Sequence, residues 1–138
     1  MRSLTLPAKL ENLEQLLDFV MTAAAELDFD AKLKNKLRLA AEEVIVNVIS
    51  YAYPDRDGEV MIATEQTPQR DGLRIEVSDA GIEFDPLTKP APDLTVSVDE
   101  RKIGGLGIFL VKELMDTVSY RRENGKNILA FTKHREKR

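Results

Sequence analysis

The segment from Ala31 to Tyr53 constrains the fold more than any other, because its apolar residues recur at helical spacing for six turns. Counted at 100° per residue from Leu33, the residues Leu37, Ala40, Val44, Val48 and Tyr51 fall within roughly 60° of one direction. Asp30 stands where an N-cap belongs, and Pro54 cannot continue the helix, so both ends are defined. A helix of this length is about as long as a small domain is wide, so the remaining chain must supply the surface that covers its apolar stripe.

One polar residue interrupts that pattern. Asn47 lies inside the run Val44-Ile-Val-Asn47-Val-Ile49, where an amide costs roughly 1–3 kcal/mol for each unmet hydrogen-bonding group. Glu43, one turn earlier, points within about 40° of it, so the two side chains reach the same place. Two readings stay open. In one, Asn47 satisfies a backbone group and Glu43 is a partly solvated surface acid. In the other, the two converge at the rim of a nucleotide pocket, with the neutral oxygen suited to Mg²⁺ and the carboxylate able to accept a proton. Glu42 falls opposite the stripe, while Ile45, Val46 and Ile49 lie off it, against the preceding helix or on a protein-binding surface.

Around this helix the chain reads as follows. Residues 2–6 alternate polar and apolar up to Pro7, which predicts a short strand. From Leu10 to Leu27 the positions Leu13, Leu16, Leu17, Val20 and Ala24 predict a first helix of about five turns. Strands are expected at 59–66 and 73–78, a third helix from Ile108 to about Asp116, and a last hairpin of 118–123 and 128–134 around Asn124-Gly125. The order β-α-α-β-β-loop-α-β-β predicts an α+β fold: a two-layer sandwich with a mostly antiparallel sheet of about five strands and helices on one face. One domain is expected to occupy residues 1–138.

Two glycine-bearing segments bear on chemistry. Asp79-Ala-Gly81 ends a strand: an aspartate there can accept from an exocyclic amine, and a glycine lets a flat ring approach the backbone, although a plain turn with positive φ reads as well. Gly104-Gly105-Leu-Gly107 opens a helix, where accessible N–H groups and the helix dipole form an anion site; a hinge without ligand is the alternative. Between them, Pro86, Pro90 and Pro92 lie in a segment with no periodicity, which predicts a lid at about 85–103. Neither a Walker P-loop nor a Rossmann fingerprint occurs.

Composition removes other classes. The chain has no cysteine, so thiolate chemistry and cysteine-based zinc sites are excluded. A net charge of −4 argues against direct nucleic-acid binding. No stretch approaches ~20 apolar residues, so no membrane association and a cytoplasmic location are expected.

Taken in order, the boxes Glu43-Val-Ile-Val-Asn47, Asp79-Ala-Gly81 with Phe84-Asp85-Pro86, and Gly104-Gly105-Leu106-Gly107 with the segment 110–116 resemble those of the GHKL ATPases. Within that group they are similar to the stand-alone anti-sigma-factor serine/threonine-protein kinases. The resemblance implies ATP and Mg²⁺ as cofactors, with Asn47 binding the metal and Glu43 acting as catalytic general base. It also implies nucleotide binding by Asp79, Gly81, Gly104, Gly105 and Gly107. It implies a sigma factor and a serine-bearing anti-anti-sigma antagonist of the STAS type as partners, and a homodimer. Two positions depart from the pattern: Tyr51 stands where a histidine is usual, and Glu83 where a second glycine is often found. Glu83 would put an anion near the phosphates. A nucleotide-sensing module without phosphotransfer, and the catalytic domain of a two-component histidine kinase, are the competing expectations; the only histidine, His134, lies near the C-terminal end.

Overall fold

The structure is a computed structural model, and it describes residues 1–88 and 105–135. Its elements are β1 (Arg2–Pro7), α1 (Leu13–Ala25), α2 (Ala31–Tyr51), β2 (Glu59–Gln66), β3 (Gly72–Asp79), α3 (Gly105–Leu114), β4 (Thr117–Glu123) and β5 (Lys126–His134). The strands form one sheet in the order β1-β2-β3-β5-β4, and every neighbouring pair is antiparallel.

Register decides what the sheet offers to the helices. Leu4, Ile62, Val77, Leu129 and Tyr120 lie across the five strands in one row. Because antiparallel partners share a face, this row and its neighbours two residues away build one apolar surface. Ile62, Ile75, Val77 and Phe131 are buried on it, beneath Leu16, Leu17 and Val20 of α1, Leu37, Val44 and Val48 of α2, and Val111 of α3. The opposite face carries charge: Glu76 pairs there with Arg74 at 3.5 Å and Arg121 at 3.1 Å.

The next row on the core face is Leu6, Val60, Asp79, Asn127 and Arg122. Two buried polar side chains thus stand directly opposite each other across β3 and β5. The apolar surface ends there and a polar one begins.

Local signals set the ends of α2. The Asp30 carboxylate accepts from the Leu33 N–H at 2.8 Å, the expected N-cap bond. The hairpin between β4 and β5 turns on Asn124 and Gly125, with φ of 53° and 76°, as a type I′ turn requires. Asp28, at φ 57°, makes the left-handed kink between α1 and α2.

Three expectations need correction. The first helix does not run unbroken from Leu10; Leu10–Asn12 is a 3₁₀ turn, and α1 ends at Ala25. The third helix starts at Gly105, three residues before Ile108, so Gly105 and Gly107 belong to its first turn and do not precede it. Tyr51 lies on the expected stripe but is not buried in the core; it is 36% exposed and lines a cavity beneath that end of α2. Ile45, by contrast, is fully buried and Ile49 packs against the core, since α2 lies between α1 and α3.

Candidate nucleotide site

The cavity opens where α2 passes the ends of β3 and β5. Val44, Asn47, Val48 and Tyr51 form one wall, Val77, Asp79, Asn127 and Leu129 another, and Ile82, Phe84 and Pro86 a third. Its empty space is about 480 Å³, a figure that includes the open mouth. The lining is largely apolar, with the carboxamide of Asn47 on one side and the carboxylate of Asp79 on the other.

Asp79 is held from two directions. Its Oδ1 accepts from the Gly81 N–H at 2.9 Å and from Asn127 Nδ2 at 2.9 Å. The same Nδ2 donates to the Ile82 carbonyl at 2.7 Å, and Asn127 Oδ1 accepts from the Phe84 N–H at 3.2 Å and the Tyr120 hydroxyl at 2.7 Å. No described group bonds Asp79 Oδ2, and no fully buried side-chain oxygen among the described residues lacks a partner. Oδ2 is therefore the carboxylate oxygen accessible from the cavity.

Gly81 serves a packing purpose. A Cβ there would lie 2.1 Å from the carbonyl oxygen of Ala52, which accepts from the Ile82 N–H at 3.0 Å. The loop after β3 is thereby clamped to the C-terminal end of α2, and the φ of Gly81 is not positive. The loop is further held by Tyr53, whose hydroxyl accepts from the Ala80 N–H at 2.8 Å and donates to the Glu59 carbonyl at 2.5 Å. Arg56 donates to the Ala80 carbonyl at 2.7 Å, and Arg122 to the Gly81 carbonyl at 3.0 Å.

Asn47 and Glu43 occupy successive turns of α2, but only Asn47 lines the cavity. Glu43 is half-buried, and burial, followed by the neighbouring charge of Glu42, raises its carboxyl above the ordinary range. Gly105 and Gly107 lie in the first turn of α3, where backbone N–H groups have no partner within the helix. Gly104 and residues 89–103 of the expected lid lie outside the described residues. Glu83 is exposed and does not line the cavity; its charge bears on Tyr120, whose hydroxyl is raised by burial first and then by Glu83.

Among the described residues, no three His, Asp or Glu side chains gather as a metal cage. Mg²⁺ on a nucleotide needs no such cage, since phosphates and water supply most of its oxygens, and Asn47 on the cavity wall fits that donor set.

Asn127 and Tyr120 belong to no motif in the sequence, yet a signal for the first exists. Leu129 and Phe131 face the core, so period-two alternation puts Asn127 on the same face.

Comparison with known proteins decides the family. The model of the histidine-kinase-like ATPase domain matches residues 6–133. The chain belongs to that family. A serine/threonine-protein kinase from Bordetella bronchiseptica, BtrW, is 32% identical over 107 residues, covering 77% of this chain and 74% of its own. The serine-protein kinase RsbW of Listeria monocytogenes is 30% identical over 132 residues, covering 92% of this chain and 83% of its own. Among solved structures, a blue-light activated histidine kinase from Erythrobacter litoralis matches with a TM-score of 0.55 at 19% identity, over 78% of this chain and 32% of that one. A histidine kinase domain of the same protein gives 0.54 at 17% identity, over 88% and 60%. The α+β sandwich is thus that of the family, and family membership implies ATP binding. Among the described residues no helix is long and apolar enough to cross a membrane.

Proposed function

We propose that this domain binds Mg-ATP with the base against Asp79 and the phosphates toward Asn47 and the first turn of α3, and transfers the γ-phosphoryl group to a serine of a protein antagonist. The observation that carries this reading is the placement of Asp79 and Asn47 on facing walls of one largely apolar cavity. Apolar walls suit a purine ring, and Asp79 Oδ2 suits its exocyclic amine. Asn47 would hold Mg²⁺, which neutralises charge on the phosphates when bound. Gly104, Gly105 and Gly107 would offer N–H groups to them, and Gly81 keeps the loop close enough to α2 for the ring to fit. Glu43 would accept the proton of the incoming serine hydroxyl; its raised carboxyl makes it a stronger base than an ordinary glutamate. The partners would be a sigma factor and a STAS-type anti-anti-sigma protein, in the cytoplasm and with the domain as a homodimer, which rests on the resemblance of the sequence boxes.

The test is isothermal titration of Mg-ATP into the wild type and Asn47→Ala, paired with transfer of labelled phosphate to candidate antagonists. Magnesium-dependent affinity should fall in Asn47→Ala, and transfer should vanish in Glu43→Ala while binding persists. Equal binding by Asn47→Ala would remove the metal role. A second reading, a nucleotide sensor that switches partners without phosphotransfer, is favoured by one observation: Glu43 does not line the described cavity. Tight binding with no transfer to any antagonist would select it.

A further inference from the structure

We infer that the stripe of α2 formed by Lys32, Lys36 and Leu39 is the docking surface for the acceptor protein, and that it takes an extended acidic segment with an apolar residue close to the acceptor serine. The inference rests on the phosphotransfer reading above. At 100° per residue, Lys32, Lys36, Leu39 and Glu43 fall within roughly 60° of one direction, on a side of α2 turned away from the buried Leu37, Val44 and Val48. Asn47 lines the cavity and Glu43 does not. An acceptor hydroxyl that meets Glu43 therefore reaches it from outside the cavity. The stretch of α2 that leads on from Glu43, away from Asn47, is this stripe.

Charge and exposure say what fits it. Residues 31–38 carry Lys32, Lys34, Lys36 and Arg38 and no acid, so cations crowd the end of the helix where its dipole is positive. Stability of the helix alone favours the opposite arrangement. Arg38 is held by Glu14 of α1 at 3.1 Å, whereas Lys32 and Lys36 pair with no acid among the described residues. Leu39 is 39% exposed, between these two lysines and Glu43. Two such cations beside an exposed leucine are complementary to a segment that brings carboxylates and one apolar side chain; a bare polyanion would leave Leu39 uncovered. The helical rise puts Leu39, Lys36 and Lys32 about 6 Å, about 10 Å and about 16 Å along the axis from Glu43. An extended chain spans those lengths in about two, three and five residues. The segment selected thus carries its apolar residue about two positions from the serine, and its acids about three and five positions away.

The experiment follows two fluorescent peptides binding to the full chain by anisotropy, with Mg²⁺ and a non-hydrolysable ATP analogue present. Both peptides carry a serine and a leucine at that spacing; one has aspartates at the two outer positions and the other has lysines. Wild type should bind the aspartate peptide about tenfold more tightly at low salt, and the difference should shrink at about 1 M salt, where charges are screened beyond about 3 Å. In Lys32→Glu combined with Lys36→Glu the order should reverse, which misfolding cannot imitate. Lys9→Glu combined with Lys126→Glu changes the net charge equally at exposed positions elsewhere and should keep the wild-type order. Leu39→Ser should weaken both peptides by about fivefold. Equal binding of the two peptides by wild type, or an unchanged order in folded Lys32→Glu with Lys36→Glu, would overturn the inference. Full affinity in Leu39→Ser would overturn it too, by assigning the stripe to polyanions at large. The expected order of the peptides, with no transfer of labelled phosphate from Mg-ATP to any antagonist, would instead overturn the phosphotransfer reading beneath it.

Discussion

Replacing Gly81 by alanine should damage both stability and nucleotide binding, and the structure supplies the size of the effect. The added Cβ would lie 2.1 Å from the Ala52 oxygen, 2.6 Å from its carbonyl carbon and 2.8 Å from its Cβ. None of these atoms belongs to a flexible side chain; all are fixed at the C-terminal end of α2. The loop after β3 must therefore retreat, which breaks the 3.0 Å bond from the Ile82 N–H to the Ala52 oxygen. Overpacking costs about 1–3 kcal/mol and the lost bond about 1 kcal/mol, while the stiffer unfolded chain returns about 0.4–1 kcal/mol. A net loss of about 1–4 kcal/mol lowers the melting temperature by about 3–12 °C in a chain of this size. Because the Gly81 N–H also orients Asp79, Mg-ATP affinity should fall by more than about tenfold. Differential scanning calorimetry and titration read the two effects separately. Gly125→Ala is the control: its Cβ meets nothing within 4 Å, so only the strain of φ +76° is felt, and ATP affinity should not change. A Gly81→Ala protein melting within about 2 °C of wild type would refute the clamp between loop and helix.

Other variants probe neighbouring features. The raised carboxyl of Glu43 means that its charged form is disfavoured in the folded state; the penalty is absent below the ordinary glutamate value of about 4.3 and grows as pH rises through the higher folded value. Glu43→Gln should therefore be more stable than wild type at pH 7 and indistinguishable from it near pH 3.5, by denaturant unfolding at the two pH values. Asp30→Ala removes the N-cap bond to Leu33 and should cost about 1 kcal/mol by urea denaturation. Tyr53→Phe removes both bonds of the hydroxyl that ties Ala80 to Glu59, and should cost about 1–2 kcal/mol in the same assay, with faster amide exchange at Ala80.

What can be read from sequence is whatever depends on neighbours in the chain. Residues 73–78 alternate apolar and polar, and β3 lies within one residue of where that alternation puts it, while 59–66 is an apolar run between polar ends and coincides with β2. Asp30, Pro54 and Asn124-Gly125 act within a turn of their own position, and the two ends of α2 and the last hairpin follow from them. The start of α3 escapes such reading because glycine is a poor helix former, and propensity alone puts Gly105 and Gly107 outside the helix. Tyr51 escapes it because periodicity gives a direction and not what lies in that direction.

The same division runs through the candidate site. Glu43 and Asn47 are aimed together by helix geometry, and Asp79 and Gly81 are two residues apart, so both pairs are legible in the sequence alone. Their surroundings change what each can do. Gly81 is required first by Ala52, in a different element, so a glycine at the end of β3 is compatible with a ligand without being evidence of one. Asp79 owes its fixed orientation to Asn127 on β5, and that contact depends on the register of the central strands. A one-residue slip between β3 and β5 would turn Asn127 to the charged face and leave Asp79 without its side-chain partner. The polar end of the cavity is therefore a product of sheet register, whereas Glu43 and Asn47 are a product of one helix. The orientation of Asp79, and with it affinity for the base, should respond to changes at 127, and metal-dependent affinity to changes at 47.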